Sequence, residues 1–215
     1  MEYLTSDPEA YSEYMDDYNY SQGFYVTPAK DGSVMLGGIR RVTGLGEVHR
    51  TAESAAVFAV EEHSKEKAGG KGFLKFMTIV NLNVEPAAGA LYYITALVAD
   101  AAGDICRYQM KIWEKLNTGY QVQIFRQAPY SLKLSEKLAR KYCCVEIKNL
   151  LGWMDENYLY YKCFLCATEI AVIDLYFEGD AKHAYLWFRN SAQKERIVKK
   201  YGGKKMPHSD IFYTF

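Results

Sequence analysis

Between Thr51 and Thr95 the order of apolar and polar positions changes period once, and the rest of the chain attaches to the ends of that stretch. From Thr51 to Glu66, Ala52, Ala55, Ala56, Ala59, Val60 and His63 recur at helical spacing, which predicts a helix with one apolar stripe lying on a sheet. Thr51 is placed to cap the first turn, and Ala68-Gly69-Gly70 to stop the helix. From Phe73 to Glu85 the pattern alternates. Leu74, Phe76, Val80, Leu82 and Val84 fall on one face with Thr78 among them, as a half-buried strand requires. Ala90 to Ala99 supplies an aromatic and β-branched partner strand, and the two meet at Glu85-Pro86-Ala87-Ala88-Gly89. Ala101-Ala102-Gly103-Asp104 signals the next hairpin, Ile105 to Lys115 returns, and Asn117-Thr118-Gly119 turns the chain into Tyr120 to Phe125. The sum is one helix wrapped by a four-stranded antiparallel sheet.

A linker, residues 129–141, separates this pattern from a second one. Strands are expected at Cys143 to Leu150, Ile170 to Phe177, Lys182 to Phe188 and Asp210 to Phe215, with helices at Met154 to Thr168 and, capped by Ser191, from Ser191 to Tyr201. The order βαββαβ is the ferredoxin-like plan, so the fold class is α+β in both parts. Period two sends Val145, Ile147, Ala184, Leu186 and Phe188 inward and leaves His183, Tyr185 and Trp187 outward, beside Glu146 and Lys148. Residues 1–33 form an acidic, Tyr-rich leader. Tyr11, Tyr14 and Tyr18 are spaced by three and four, which leaves open a short helix docked through those rings or a leader partly ordered on its neighbour.

Composition narrows the function classes. The 215 residues are 49% hydrophobic and 24% charged, which suits a globular protein of more than one domain. No apolar run approaches the ~20 residues needed to cross a bilayer, and the acidic start lacks the features of a signal peptide, so no membrane contact and a cytoplasmic or nuclear location are expected. Five cysteines, an odd number, are read as free thiols in a reducing compartment. Cys163 and Cys166 have metal-ligand spacing but fall within the expected helix among apolar residues, so they are read as core thiols. Cys106 and His63 have no third group to orient them as a nucleophile pair. The chain is therefore read as a non-enzyme without metal or cofactor. Zero net charge hides a gradient: residues 1–36 carry seven acids against Lys30, and the basic run Lys194, Arg196, Lys199, Lys200, Lys204, Lys205 lies near the other end.

Four segments, over roughly residues 34–128, carry a resemblance. Phe58-Ala-Val-Glu-Glu-His63 resembles the helix signature of the plant cystatins, with Ser64 where they have Asn; Gly89-Ala-Leu-Tyr-Tyr-Ile-Thr95 and Lys111-Ile-Trp-Glu-Lys115 are similar to two of their strands, and Leu36-Gly37-Gly38 resembles their Gly-Gly arm. The resemblance implies a helix wrapped by a sheet, and inhibition of papain-like cysteine proteases by an arm and two hairpin loops that fill the active-site cleft. Carried over, the protease-binding residues are Gly37 and Gly38 in the arm, Glu85, Pro86, Ala87, Ala88 and Gly89 in the first loop, and Leu116 and Asn117 in the second. The first loop keeps only the closing Ala-Gly of the family's Gln-Val-Val-Ala-Gly, and the family's Pro-Trp is Leu116-Asn117 here. An acid at Glu85 is costly at an interface unless paired.

Residues 142–215 resemble an RNA recognition motif through Val145-Glu-Ile-Lys-Asn-Leu150 and Ala184-Tyr-Leu-Trp-Phe188. That resemblance implies single-stranded RNA stacked on outward side chains, with Lys148, His183, Tyr185 and Trp187 as the candidates. Glu146 stands where the family has an aromatic, and Ala181-Lys182 where it has a basic residue followed by Gly. The sequence is thus read as a binding protein, a weak inhibitor of papain-like proteases or a cystatin scaffold turned to another protein partner. The alternatives are RNA binding through the second sheet, and a scaffold that binds proteins through its sheet or helix faces.

Overall fold

A computed structural model of the chain describes residues 8–27, 37–66, 73–131 and 143–215. It falls into two compact units, Met1–Ala128 and Pro129–Phe215. The expected helix stop at Ala68-Gly69-Gly70, Leu36 of the arm and most of the expected linker lie outside the described residues.

In the first unit, helix α1 (Pro8–Ser21) is followed by strand β1 (Arg40–Arg41), helix α2 (Glu47–Glu66) and strands β2 (Leu74–Ala87), β3 (Gly89–Asp100), β4 (Ile105–Lys115) and β5 (Gly119–Gln127). The sheet order is β1-β2-β3-β4-β5, antiparallel throughout, so it has five strands where the periodicity predicts four. The added strand is two residues long, and a two-residue strand has no period to read. Helix α2 begins a turn earlier than expected. Thr51 lies inside it, its hydroxyl donating to the Glu47 carbonyl at 3.1 Å rather than capping.

The apolar stripe of α2 is made of alanines, and small side chains let the helix axis approach the sheet closely. Ala52, Ala55, Ala56, Ala59 and Val60 are buried against Leu82, Val84, Tyr92, Ile94, Ala96, Val98, Met110 and Ile112. His63 stacks on Phe125 with ring centroids 4.2 Å apart. Ser64 ties the end of the helix to the start of β2, accepting from the Leu74 amide at 3.1 Å. The alternation expected along β2 holds at Leu74, Phe76, Leu82 and Val84, but between them Ile79 packs on the core instead of Thr78 and Val80. Bulges between Phe76 and Thr78 and between Ile79 and Asn81 are the reason, because each extra residue moves the following side chains to the other face.

The second unit holds a three-stranded antiparallel sheet, β6 (Cys144–Leu150), β7 (Ile170–Glu178) and β8 (Ala181–Phe188), in the order β6-β8-β7, and helix α3 (Ser191–Tyr201). The cap of α3 is Asn190, whose side chain accepts from the Gln193 amide, and not Ser191. The long helix expected from Met154 to Thr168 is instead a π-helical turn, Tyr158–Cys163, with Met154 to Tyr161 buried. The fourth strand expected at Asp210 to Phe215 does not join the sheet. Phe212 makes an isolated bridge to Lys205, and Tyr213 is buried with its ring on Phe164 and Tyr201 and its hydroxyl donating to the Cys163 carbonyl at 3.2 Å. Burial of that ring on Phe164 and Tyr201, with the Tyr213 amide donating to the Lys204 carbonyl at 2.9 Å, holds the segment away from the strand edge. The three strands thus match part of the ferredoxin-like order without completing it.

Candidate functional site

Register brings the candidate residues of the first unit to one end of the sheet. Ala87 pairs with Gly89 at the β2–β3 turn, Gly89 pairs with Lys115, and Lys115 pairs with Gly119 across the β4–β5 turn. The two turns are therefore neighbours. Arg40 pairs with Val84, so the chain enters β1 from Gly37 and Gly38 at the end of the sheet that holds the β2–β3 turn. Gly37 is exposed, Gly38 is buried, and Pro86, Ala87, Ala88, Leu116 and Asn117 are exposed.

Backbone chemistry shapes both turns. Gly89 has φ +104°, and a Cβ there would lie 1.9 Å from the Glu114 carbonyl oxygen, so only glycine lets β3 pass so close to β4. Asn117 and Gly119 both have positive φ, residue types that tolerate it. Trp113, in the middle of the Lys-Ile-Trp-Glu-Lys segment, donates its indole N–H to the Ala88 carbonyl at 3.1 Å and carries Lys115 over its ring. It pins the first turn from the strand that leads to the second.

Glu85 is paired. Its carboxylate accepts from the Tyr93 hydroxyl at 2.5 Å, and Tyr93 is 1% exposed. Burial first, and the bond to Glu85 second, push the Tyr93 phenol far above the usual tyrosine range. On the opposite face Tyr92 donates to Glu114 at 2.6 Å, and burial with that bond raises its phenol likewise. The acid that sequence patterning makes costly at a binding edge is thus held by a buried neighbour two positions diagonal to it.

The face of the sheet that bears Tyr93 is covered by the leader. Phe24, Tyr25 and Val26 are buried, Phe24 packs edge-on against Tyr93 at 6.0 Å, and Asn83 donates to the Gly23 carbonyl at 3.0 Å. Asp17 accepts from the amide and hydroxyl of Thr27. The Tyr14 hydroxyl accepts from the amide of Ile39, one residue past Gly38, at 2.9 Å. Of the two forms the spacing leaves open, α1 takes the helical one, with Tyr11, Tyr14 and Tyr18 half-buried. Sequence reasoning places nothing of functional weight at Tyr14, Gly23 or Tyr93, since no local period joins them.

In the second unit Ile147, Ala184, Leu186 and Phe188 of the expected inward set are completely buried, while Val145, near the start of β6, is only half-buried. The opposite face differs from expectation. Tyr176, on β7, stacks on Tyr185 with centroids 4.8 Å apart and planes 11° apart, and on His183 at 5.2 Å. His183 is 4% exposed, so it is not an outward platform, and Trp187 is half-buried with its ring 6.3 Å from Tyr185. Tyr176 and Tyr185 each turn one ring face to the other, while the Trp187 ring is tilted 59° to Tyr185. Glu146 accepts from the Tyr176 hydroxyl and lies 3.4 Å from Lys148; the tyrosine first, then the lysine, holds its carboxyl below the usual glutamate range. Lys182 is buried, its ammonium donating to the carbonyls of Gly152 and Met154. Of the candidate cations on this sheet, Lys148 is exposed and spends its charge beside Glu146.

The five cysteines are free thiols. Cys163 is buried, and desolvation pushes its thiol up to about 12. Among the described residues no group of His, Cys, Asp or Glu is arranged to hold a metal ion.

A sheet wrapped on one helix, with a glycine arm and two turns brought to one end, defines a binding scaffold of the cystatin class. No family model matches the chain. It is 35% identical to Cysteine proteinase inhibitor 1 of Oryza sativa subsp. japonica over 88 residues, which is 40% of this chain and 58% of that protein. It is 31% identical to Cysteine proteinase inhibitor 3 of Arabidopsis thaliana over 100 residues, 45% of this chain and 74% of that one. Cysteine proteinase inhibitor A of Helianthus annuus is 38% identical over 63 residues, 29% of this chain and 72% of its own length. The chain belongs to the plant cystatins, with the homology confined to about 40% of its length. It spans under two thirds of the rice inhibitor, and the relatives are named as inhibitors, not as enzymes.

Proposed function

We propose that the first unit inhibits papain-like cysteine proteases by inserting the end of its sheet into the active-site cleft. The observation that carries this reading is the register that sets Gly89 against Lys115 and Lys115 against Gly119, so that two exposed turns form one edge, with β1 after the glycine arm paired to β2 at the same end. Such an edge acts by shape and apolar burial, with no bond made or broken, as in other preorganised protease–inhibitor contacts. Pro86, Ala87 and Ala88 offer small apolar contacts; Leu116 offers an aliphatic side chain where the family has an aromatic one. With that anchor absent and an acid at Glu85, inhibition is expected in the micromolar rather than the nanomolar range. Pairing of Glu85 with Tyr93 lessens the cost of bringing the acid to an interface, because the carboxylate already has a donor.

The test is a titration of the full chain against papain with a fluorogenic peptide, from nanomolar to tens of micromolar. Competitive inhibition, lost in Ala87→Arg at an exposed turn position, supports the wedge. Absence of inhibition over that range, or inhibition untouched by Ala87→Arg, rejects it. RNA binding by the second unit is not adopted. The platform for stacking is reduced, since His183 is buried and Tyr176 and Tyr185 each spend one ring face on the other.

A further inference from the structure

The leader touches the proposed inhibitory edge at two independent points and leaves its tips open. The first point is the arm. Val42 donates to the Leu82 carbonyl at 2.9 Å, and Arg40 pairs with Val84, so by the alternation of an antiparallel ladder the Ile39 amide points away from β2, at the open edge. An edge donor next to Gly-Gly leaves an arm free to swing. Here Tyr14 supplies the missing acceptor at 2.9 Å, and Ile39 is buried.

The second point is the first turn. Gly23 has φ +86° and sits so close to the sheet that a Cβ would lie 2.3 Å from the Tyr93 ring and 2.8 Å from the Ile39 side chain. One glycine of the leader therefore packs on both the residue that holds Glu85 and the residue that follows the arm. Asn83 fastens that glycine through its carbonyl, and Phe24 closes over Tyr93, with the Arg126 guanidinium 5.5 Å above its own ring. Pro86, Ala87, Ala88, Leu116 and Asn117 stay exposed, so the leader does not cap the edge.

We propose that residues Pro8 to Thr27 are a brace that sets the geometry of the binding edge, with Tyr14 the positioning residue of the arm and Gly23 that of the Glu85–Tyr93 pair. The proposal rests on the inhibitory reading for its consequence, though not for its geometry. Fixing the arm before binding removes part of the ordering cost of association, so the brace tightens inhibition without touching the protease.

The experiment uses the full chain with Tyr14→Phe, Gly23→Ala and, as a control at an exposed leader position, Ser12→Ala. Two readouts are taken: hydrogen exchange of the Ile39 amide, and the inhibition constant against papain. Tyr14→Phe is expected to speed Ile39 exchange by about tenfold while exchange in the β3 and β4 core is unchanged, and to raise the inhibition constant by about fivefold. Gly23→Ala is expected to raise it further, and Ser12→Ala to move neither. Unchanged Ile39 exchange in Tyr14→Phe overturns the brace, whatever the inhibition. Faster exchange with an unchanged inhibition constant in a wild type that does inhibit overturns the positioning role. A wild type that does not inhibit rejects the inhibitory reading alone, and Ile39 exchange still decides whether the leader holds the arm.

Discussion

The Tyr93 hydroxyl donates to the Glu85 carboxylate at 2.5 Å across the β2–β3 hairpin, from a ring that is almost wholly buried. Asn83, not Glu85, is the residue directly opposite Tyr93, so the bond is diagonal, linking positions on one face of adjacent strands. An acid at the first turn is thereby made part of the sheet.

Tyr93→Phe keeps the buried ring and removes the donor. Hydrogen bonds to charged groups contribute about 1.5–3 kcal/mol, and half-burial of Glu85 lowers that range. Unfolding in urea should show a loss of about 1–2 kcal/mol. Glu85→Gln, which retains an acceptor, should lose less.

Gly89→Ala confronts both the positive φ and the Glu114 carbonyl. The substitution cannot be absorbed by a side-chain rotation, since the obstructing atom is backbone. A destabilisation of more than about 2 kcal/mol is expected by denaturant titration, with faster amide exchange at the β2–β3 turn. Gly103→Ala, where the same addition meets open space, should cost about 1 kcal/mol from its φ alone.

The Cys163 thiol titrates at about 12 in the folded chain against an ordinary 9.0. Its folded value is the raised one, so the folded state holds this proton more tightly. The stabilisation is complete below pH 9 and is lost as pH rises through the window from about 9 to about 12. Melting temperature should therefore fall across that window. Cys163→Ala should flatten part of the fall while lowering the plateau, and an unchanged slope would show that other groups carry it. Tyr213, raised by burial next to Cys163, titrates in the same direction and accounts for a remainder.

Much of the first unit was legible because its signals are local. A stripe at 3.6-residue spacing from Ala52 to Val60 and an apolar strand from Tyr92 to Val98 each report burial through neighbouring residues. Bulges in β2 broke the alternation, since an inserted residue looks like any other until its partner strand is seen. In the second unit the strand positions were readable and the last segment was not. Its β-like composition, Ile211-Phe-Tyr213, serves aromatic packing on Phe164 and Tyr201 instead of a ladder.

The candidate site divides the same way. The candidates Gly37, Gly38, Glu85 to Gly89, Leu116 and Asn117 come from the resemblance to the plant cystatins, carried over position by position along the chain. That Glu85 is held by Tyr93, that the Ile39 amide is met by Tyr14, and that Tyr176 covers Tyr185 all depend on residues 8, 25 and 9 positions apart, on elements with no shared period. The sequence by itself determined helix α2, the long strands of the first unit, the three strands of the second and the charges they carry, because propensity and period act between near neighbours. Only the tertiary structure decided which of those charges and rings are spent on one another, because that is set by distances between faces that meet after the chain has folded.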